Sequence, residues 1–155
     1  MADKSLIGKS GKPFTMPVEW GKVREFARAI KDRNPVYYDP EVAKKECGGI
    51  PITPTFLMAS SFWQASSAQE AGAGLDLGFD TRRILHGEQE FEYFKPIFVG
   101  DVLTGVARVA DIYEKDGGRG GKMTFAVVET EYTNQKGEKV AVARSVLIET
   151  GGASK

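Results

Sequence analysis

Residues 54–71, PTFLMASSFWQASSAQEA, decide the fold class of this chain. The first half of the stretch is apolar on nearly every side, and a helix of that kind is buried instead of lying on a surface. The second half turns polar between Ser66 and Glu70. We therefore predict a long buried central helix, whose amino end Thr53 or Thr55 can cap.

Two aromatic residues, Phe62 and Trp63, lie in the apolar half of this stretch. Large aromatic side chains contribute much of the area that a core buries. We expect both rings deep in the groove between the central helix and a sheet. On that expectation, replacing Phe62 by Ala would cost about 3–5 kcal/mol of stability.

Two shorter helices precede the central one. Pro17 can open the first, because the N–H that proline lacks has no partner in a first turn, and apolar residues then recur at helical spacing over 17–30. Asp39 is a typical N-cap and is followed by proline, which predicts a second helix over 40–46. Glycines within 72–83 predict a loop after the central helix.

After residue 84 the apolar period changes to two, which indicates strands. Polar and glycine-rich turns at 116–121 and 134–137 predict hairpins between them. With a short edge strand added at the amino end, the predicted strands are 12–16, 85–94, 102–114, 122–134 and 139–149. Helices followed by a meander of long strands predict an α+β domain with an antiparallel sheet of about five strands.

The last strand carries apolar residues on both of its faces. Val140, Val142 and Val146 alternate with Ala141 and Ala143. A sheet with one face in water alternates more cleanly between apolar and polar residues. We therefore expect the second face to be covered, most simply by another subunit.

Bulk composition excludes several classes of protein. Lys and Arg number 21, and Asp and Glu also number 21, so no overall field attracts nucleic acid or an anionic membrane. The single Cys47 cannot form an internal disulfide, which suits a reducing compartment. With no apolar leader and no membrane-length apolar run, residues 1–155 are expected to form one cytoplasmic domain. The absence of a Cys/His cluster predicts that no metal is bound.

The stretch over 26–37, FARAIKDRNPVY, resembles the hydratase motif of MaoC-like (R)-specific enoyl-CoA hydratases. That motif runs aromatic, small residue, then Gly-Asp-x-Asn-Pro-x-His. PITPTF at 51–56, HGEQEF at 86–91, YFKP at 93–96 and VGD at 99–101 also resemble the family, especially its FAS1-like dehydratase branch. The resemblance covers residues 5–149 and implies a hot-dog fold, with the sheet wrapped around the central helix.

The resemblance places the hydratase residues one by one. Asp32 occupies the aspartate position of the catalytic Asp–His pair, and Asn34 the asparagine that shapes the loop. Tyr37 stands where the family has histidine, and Lys31 where it has glycine. Tyrosine is a poor base at neutral pH, because its ordinary pKa is about 10, although its hydroxyl can hold an enolate oxygen or a water. Alternatively, Tyr37 only packs the loop.

His86 is the other catalytic candidate. By strand parity it should lie with Glu88, Glu90 and Glu92 on a polar face, where a solvated or structurally paired histidine is the simpler interpretation. A pairing of His86 with Glu88 or Asp32 in space stays open. The resemblance further implies substrate binding by Asn34 and by the start of the central helix, at Pro54, Thr55, Phe56 and Trp63.

The resemblance implies an enoyl-CoA or acyl-carrier hydratase that needs no cofactor. Because FAS1-like subunits that lack the pair associate with a MaoC-like subunit that carries it, the degenerate motif favours a substrate-tunnel partner in a homo- or heterodimer of hot-dog chains. The alternatives are a self-sufficient hydratase that uses Asp32 with His86 or Tyr37, and a non-catalytic protein that binds acyl thioesters. A thioesterase would need a carboxylate in the buried half of the central helix, and Glu70 lies at the exposed end.

Overall fold

The computed structural model describes residues 3–64, 75–117 and 121–151. Within these ranges, three α-helices and five β-strands follow one another in the order β1 (Phe14–Pro17), α1 (Trp20–Ala29), α2 (Pro40–Cys47), α3 (Ser61–Gln64), β2 (Ile84–Tyr93), β3 (Val102–Gly117), β4 (Gly121–Thr133) and β5 (Lys139–Glu149). Short 3₁₀ helices lie at Lys4–Leu6, Pro35–Tyr37, Phe56–Ser60 and Thr81–Arg83.

The strands form one antiparallel sheet in the order β1-β3-β4-β5-β2. All five predicted strands are confirmed, with β1 at an edge as expected and β3 running on to Gly117. The predicted turn over 134–137 is confirmed as well. The side-chain oxygen of Asn134 accepts the N–H groups of Lys136 at 2.9 Å and Glu138 at 3.0 Å, and Gly137 takes the left-handed conformation that a tight turn requires. Residues 118–120 of the other predicted turn lie outside the described part.

The core fills the space between the inner face of the sheet and the helical segments. Ala141 and Ala143 of β5 belong to one cluster with Phe56, Leu57 and Tyr37. A second cluster near the β3–β4 hairpin contains Val109, Ile112 and Ala126, with Leu75, Leu77 and Phe79 packed on it. The predicted α+β class, with a five-stranded antiparallel sheet packed on helices, is confirmed.

The first helix begins later than predicted. The chain over 17–19 still follows the sheet, because Val18 donates its N–H to the carbonyl of Asp101 at 2.9 Å and accepts the N–H of Gly100 at 2.9 Å. Pro17 therefore ends β1, and α1 starts at Trp20. The second helix is confirmed from Pro40, because Asp39 Oδ1 accepts the N–H groups of Glu41 at 2.9 Å and Val42 at 3.3 Å.

The central segment differs from the single α-helix predicted over 54–71. It opens as a 3₁₀ helix at Phe56–Ser60 and becomes α-helical at Ser61–Gln64, whereas 65–71 lies outside the described residues. Thr55, Met58 and Ser61 are exposed, and this spacing of three matches the eclipsed side chains of a 3₁₀ turn. Neither threonine caps the segment. Thr55 makes no side-chain cap bond, and the buried hydroxyl of Thr53 has no hydrogen-bond partner among the described atoms.

The expected burial of Phe62 is wrong for the single chain. Phe62 is 81% exposed, whereas Trp63 is half-buried against the core. The 3₁₀ turn explains the difference, because it directs Phe56, Leu57, Ala59 and Ser60 inward and brings Phe62 to the outside of α3. The segment that is apolar on all sides therefore has one face buried in the core of this chain and another face that this chain leaves exposed.

Charged side chains cover part of the outer sheet face. Val142 is only 1% exposed although it lies on the face opposite Ala141 and Ala143, because it is flanked across the strands by Glu92 and Glu131. Nearer the β3–β4 hairpin the outer face is aromatic. Tyr113 and Phe125 stack with ring centroids 4.9 Å apart, and the Lys115 ammonium lies 5.2 Å from each ring. Covering by another subunit stays a prediction. Within the described ranges no helix is long and apolar enough to cross a membrane.

Candidate active-site loop and substrate groove

The loop that carries the hydratase-like motif begins with a Schellman turn at the end of α1. Asp32 donates its N–H to the carbonyl of Ala27 at 2.9 Å, and Lys31 donates to Arg28 at 3.0 Å. Lys31 takes a left-handed backbone conformation with φ 61°, the only described non-glycine residue with a positive φ. The position at which the family motif has glycine thus keeps a glycine-like conformation with a lysine side chain.

Asp32 and Asn34 organise the loop that follows. Oδ1 of Asp32 accepts the N–H of Asn34 at 2.9 Å, and Oδ1 of Asn34 accepts the N–H of Val36 at 3.2 Å. The Tyr38 hydroxyl donates to the backbone carbonyl of Asp32 at 2.5 Å. Asp32 therefore has one carboxylate oxygen in a turn, and it is only partly buried, so its second oxygen can receive another donor.

Tyr37 lies in the core, with only 7% of its surface exposed. The indole N–H of Trp20 donates to the backbone carbonyl of Tyr37 at 2.9 Å, and this bond holds the loop against the start of α1. Burial, and then the nearby charge of Asp32, raise the pKa of the Tyr37 phenol above its ordinary value of 10. The phenol is therefore neutral at physiological pH, and it can donate a hydrogen bond but cannot act as a general base.

The predicted face of His86 is wrong. The ladder between β2 and β5 pairs His86 with Leu147 but Glu88 with Val146, so a bulge falls at Gly87. Paired residues share a face of the sheet, and the consecutive residues Val146 and Leu147 of β5 lie on opposite faces. His86 and Glu88 therefore lie on opposite faces as well, and His86 is on the inner face with Phe91. The imidazole is exposed, and no hydrogen bond or ion pair joins it to Asp32 within the described chain.

The residues predicted to bind substrate lie close to the loop only in part. Phe56 is fully buried and packs edge-on against Phe26 of α1, with ring centroids 5.6 Å apart, in the cluster that includes Tyr37. Trp63 packs at the margin of the same cluster. Pro54 and Thr55 are exposed at the amino end of the central segment.

An apolar groove of about 410 Å³ opens beside Pro54, between residues 51–54 and the segment 93–97 that follows β2. The Tyr93 hydroxyl bridges its two walls by donating to the Pro54 carbonyl at 2.8 Å. Thr53, whose hydroxyl has no partner among the described atoms, is one of the lining residues.

A buried polar chain escaped prediction from the sequence. The Tyr132 hydroxyl donates to Ser60 Oγ at 2.9 Å, and the Gln64 amide donates to the same oxygen at 2.9 Å. Tyr132 is almost fully buried, and burial raises the pKa of its phenol to about 12. The available signal was a serine inside an apolar segment, combined with the inward parity of Tyr132 on β4. In the described part of the chain no cluster of His, Cys, Asp and Glu could hold a metal ion.

Comparison with known proteins identifies the family. The model of the FAS1-like dehydratase domain region matches residues 5–143, and the chain belongs to this family of hydratases and dehydratases. A relative from Saccharopolyspora erythraea, described as a UPF0336 protein, is 40% identical over 156 residues, which cover 97% of this chain and 93% of the relative.

Solved structures confirm the hot-dog fold. A chain of the HadBC (3R-hydroxyacyl-ACP dehydratase) complex from Mycobacterium tuberculosis superposes with a TM-score of 0.72 at 24% identity, over 92% of this chain and 96% of that one. A chain of the ChsH1-ChsH2 complex from the same organism also gives 0.72, at 21% identity, over 94% of this chain and 86% of that one.

Proposed function

We propose that this chain is a substrate-binding subunit of an acyl-thioester hydratase, and that a second hot-dog chain supplies the catalytic Asp–His pair. One observation carries the proposal. Tyr37 occupies the position of the catalytic histidine, is buried in the core, and has a raised pKa that keeps it neutral. The loop thus keeps the aspartate and the asparagine of the motif, but the residue at the histidine position stays neutral at physiological pH.

The chemistry explains why this substitution matters. Adding water to a trans-2-enoyl thioester requires a base that activates the water, an acid that protonates C2, and donors that hold the enolate oxygen. No hydrogen bond or ion pair joins Asp32 to an imidazole among the described residues, and the N–H of Asn34 already occupies one oxygen of the Asp32 carboxylate. The complete pair therefore belongs to the partner in this proposal.

Two further observations support a binding role. The apolar groove beside Pro54 provides a wall suited to an acyl chain or its thioester arm. The structural neighbours named above come from complexes of two chains, HadBC and ChsH1-ChsH2. The exposed Phe62 then belongs to surface that the partner or the bound acyl chain covers.

A self-sufficient hydratase is the second candidate, and the bulge at Gly87 favours it. Because the bulge turns His86 to the inner face of the sheet, an imidazole does lie on the side that the helical segments cover. In that reading His86 and Asp32 act together, and the chain hydrates enoyl thioesters without a partner.

Tryptophan fluorescence tests the binding role. Titration with a non-hydrolysable thioether analogue of an acyl-CoA should quench the protein saturably, and Trp63→Phe should remove most of that change. Trp20→Phe is the matched control, because Trp20 is the other tryptophan of the chain and its indole N–H bonds the backbone carbonyl of Tyr37 in the loop. Quenching that is unchanged in Trp63→Phe, or the absence of saturable binding by the chain and by its complex, would contradict the proposal.

A further inference from the structure

The sheet has one long open edge. β2 pairs with β5 on one side, and no described strand pairs with its other side. The opposite edge is short, because β1 has four residues and ends in Pro17. An open strand of this length is a template for a strand from another chain. Leu85, Tyr93 and Phe94 are exposed at the two ends of β2, as expected of surface that a protein partner covers.

The outer face of this edge carries a row of carboxylates. Beyond the bulge at Gly87, Glu88, Glu90 and Glu92 pair with Val146, Arg144 and Val142 of β5, which places all three on the face turned away from the core. All three are exposed. The row begins after the shift in register between His86 and Glu88, which brings Glu88 to the outer face.

Positive charge only partly compensates the row. Arg144 contacts Glu90 at 2.8 Å and Glu92 at 3.1 Å, but it also bonds Glu129 at 2.8 Å, which Arg108 shares at 2.9 Å. The carboxylates of Glu88, Glu90, Glu92 and Glu129 thus share two guanidinium groups, those of Arg108 and Arg144. Glu88 itself has no ion pair in the described chain. The edge is therefore acidic.

Symmetry turns this charge into a choice of partner. If two copies paired β2 with β2 around a two-fold axis, residues on the same face would have to lie opposite each other. In every such register in which the acidic rows of the two copies overlap, glutamate lies opposite glutamate. One example sets Glu88 opposite Glu92, with Glu90 on the two-fold axis. Like charges directly opposite each other destabilise an antiparallel pair.

We propose that the acidic row on the outer face of β2 selects the chain that pairs with this edge: it disfavours a second copy and favours a chain whose edge strand carries Lys or Arg on its outer face. The inference rests on the proposed function, because the partner is the second hot-dog chain. The experiments below measure association alone. A negative result would therefore overturn this inference without bearing on the hydratase assay or the acyl-binding assay.

Neutralising the row should release self-association. The variant Glu88→Gln, Glu90→Gln, Glu92→Gln should show a dimer association constant at least about tenfold above wild type in sedimentation velocity. The matched control, Glu25→Gln, Glu41→Gln, Glu46→Gln, changes net charge equally on exposed helix positions and should leave association unchanged. Wild type should also associate more strongly at about 500 mM than at about 20 mM salt, because salt screens the repulsion.

A mixing experiment gives an independent answer. A mass-tagged copy with Glu88→Lys, Glu90→Lys and Glu92→Lys stands in for the basic partner. Native mass spectrometry should detect pairs of wild type with this copy at concentrations where each alone is monomeric. Equal association of wild type, neutralised variant and control at both salt concentrations, together with no mixed pair, would overturn the proposal. Circular dichroism verifies the folding of each variant. If the variant of one experiment does not fold, the other experiment decides.

Discussion

The backbone amide of Asn34 donates to Oδ1 of Asp32 at 2.9 Å, so two of the residues that the loop retains from the hydratase motif bind each other. Asparagine at position 32 can accept the same bond but cannot take a proton. Asp32→Asn in the assembled complex should therefore leave kcat within about threefold of wild type, far from the 10²–10⁴-fold loss expected of a general base. Steady-state enoyl-thioester hydration measures this. Asp39→Asn, at the N-cap of α2, is the matched control.

Lys31 should be replaceable by glycine with a gain in stability. Its left-handed φ of 61° costs an L-residue about 1–2 kcal/mol, and the greater freedom of an unfolded glycine offsets part of that cost. Lys31→Gly should therefore raise the free energy of unfolding by about 0.5–1 kcal/mol. Lys31→Ala keeps the Cβ and should gain nothing. Equal denaturant midpoints for the glycine and alanine variants would show that the backbone is relaxed there.

Phe62 and Leu57 separate surface from core within one segment. Leu57 is 2% exposed and Phe62 81%. In the isolated chain Leu57→Ala should cost about 2–5 kcal/mol, while Phe62→Ala should stay within about 0.5 kcal/mol of wild type. Thermal or urea unfolding measures both. In the complex, Phe62→Ala should weaken assembly or change acyl preference, and a large stability loss in the single chain would return Phe62 to the core.

Gly105 is required by a close approach of Phe14. A Cβ on Gly105 would lie 2.2 Å from the Phe14 ring, which packs edge-on against Tyr132 with ring centroids 6.1 Å apart. Gly105→Ala should therefore destabilise the fold by about 1–3 kcal/mol. Gly21→Ala is the control, because a Cβ there meets nothing within 4 Å and helix α1 should gain about 0.5 kcal/mol. Equal unfolding midpoints for the two variants would show that Phe14 moves aside without cost.

The sheet could be predicted from the sequence because the apolar period changes to two after residue 84 and the turn over 134–137 uses Asn and Gly at the required places. Helix α2 could be predicted for the same kind of local reason, since Asp39 and Pro40 specify its start. At these positions the residue type alone indicates the local backbone conformation.

The remaining features depend on contacts that the sequence pattern does not show. The bulge at Gly87 moved His86 to the other face, because a single inserted residue reverses strand parity. The apolar pattern at Phe62 could not distinguish burial by this chain from burial by a partner. Pro17 can begin a helix or end a strand, and contacts with 100–101 decide for the strand.

Enoyl-thioester hydration by the purified chain, alone and with the hot-dog subunit that co-purifies from the native host, tests the central claim most directly. The account predicts no turnover above background for the chain alone and full turnover for the complex. Within the complex, Asp32→Asn and His86→Ala should leave kcat nearly unchanged. Robust hydration by the chain alone, abolished by Asp32→Asn or His86→Ala in variants that remain folded, would contradict it.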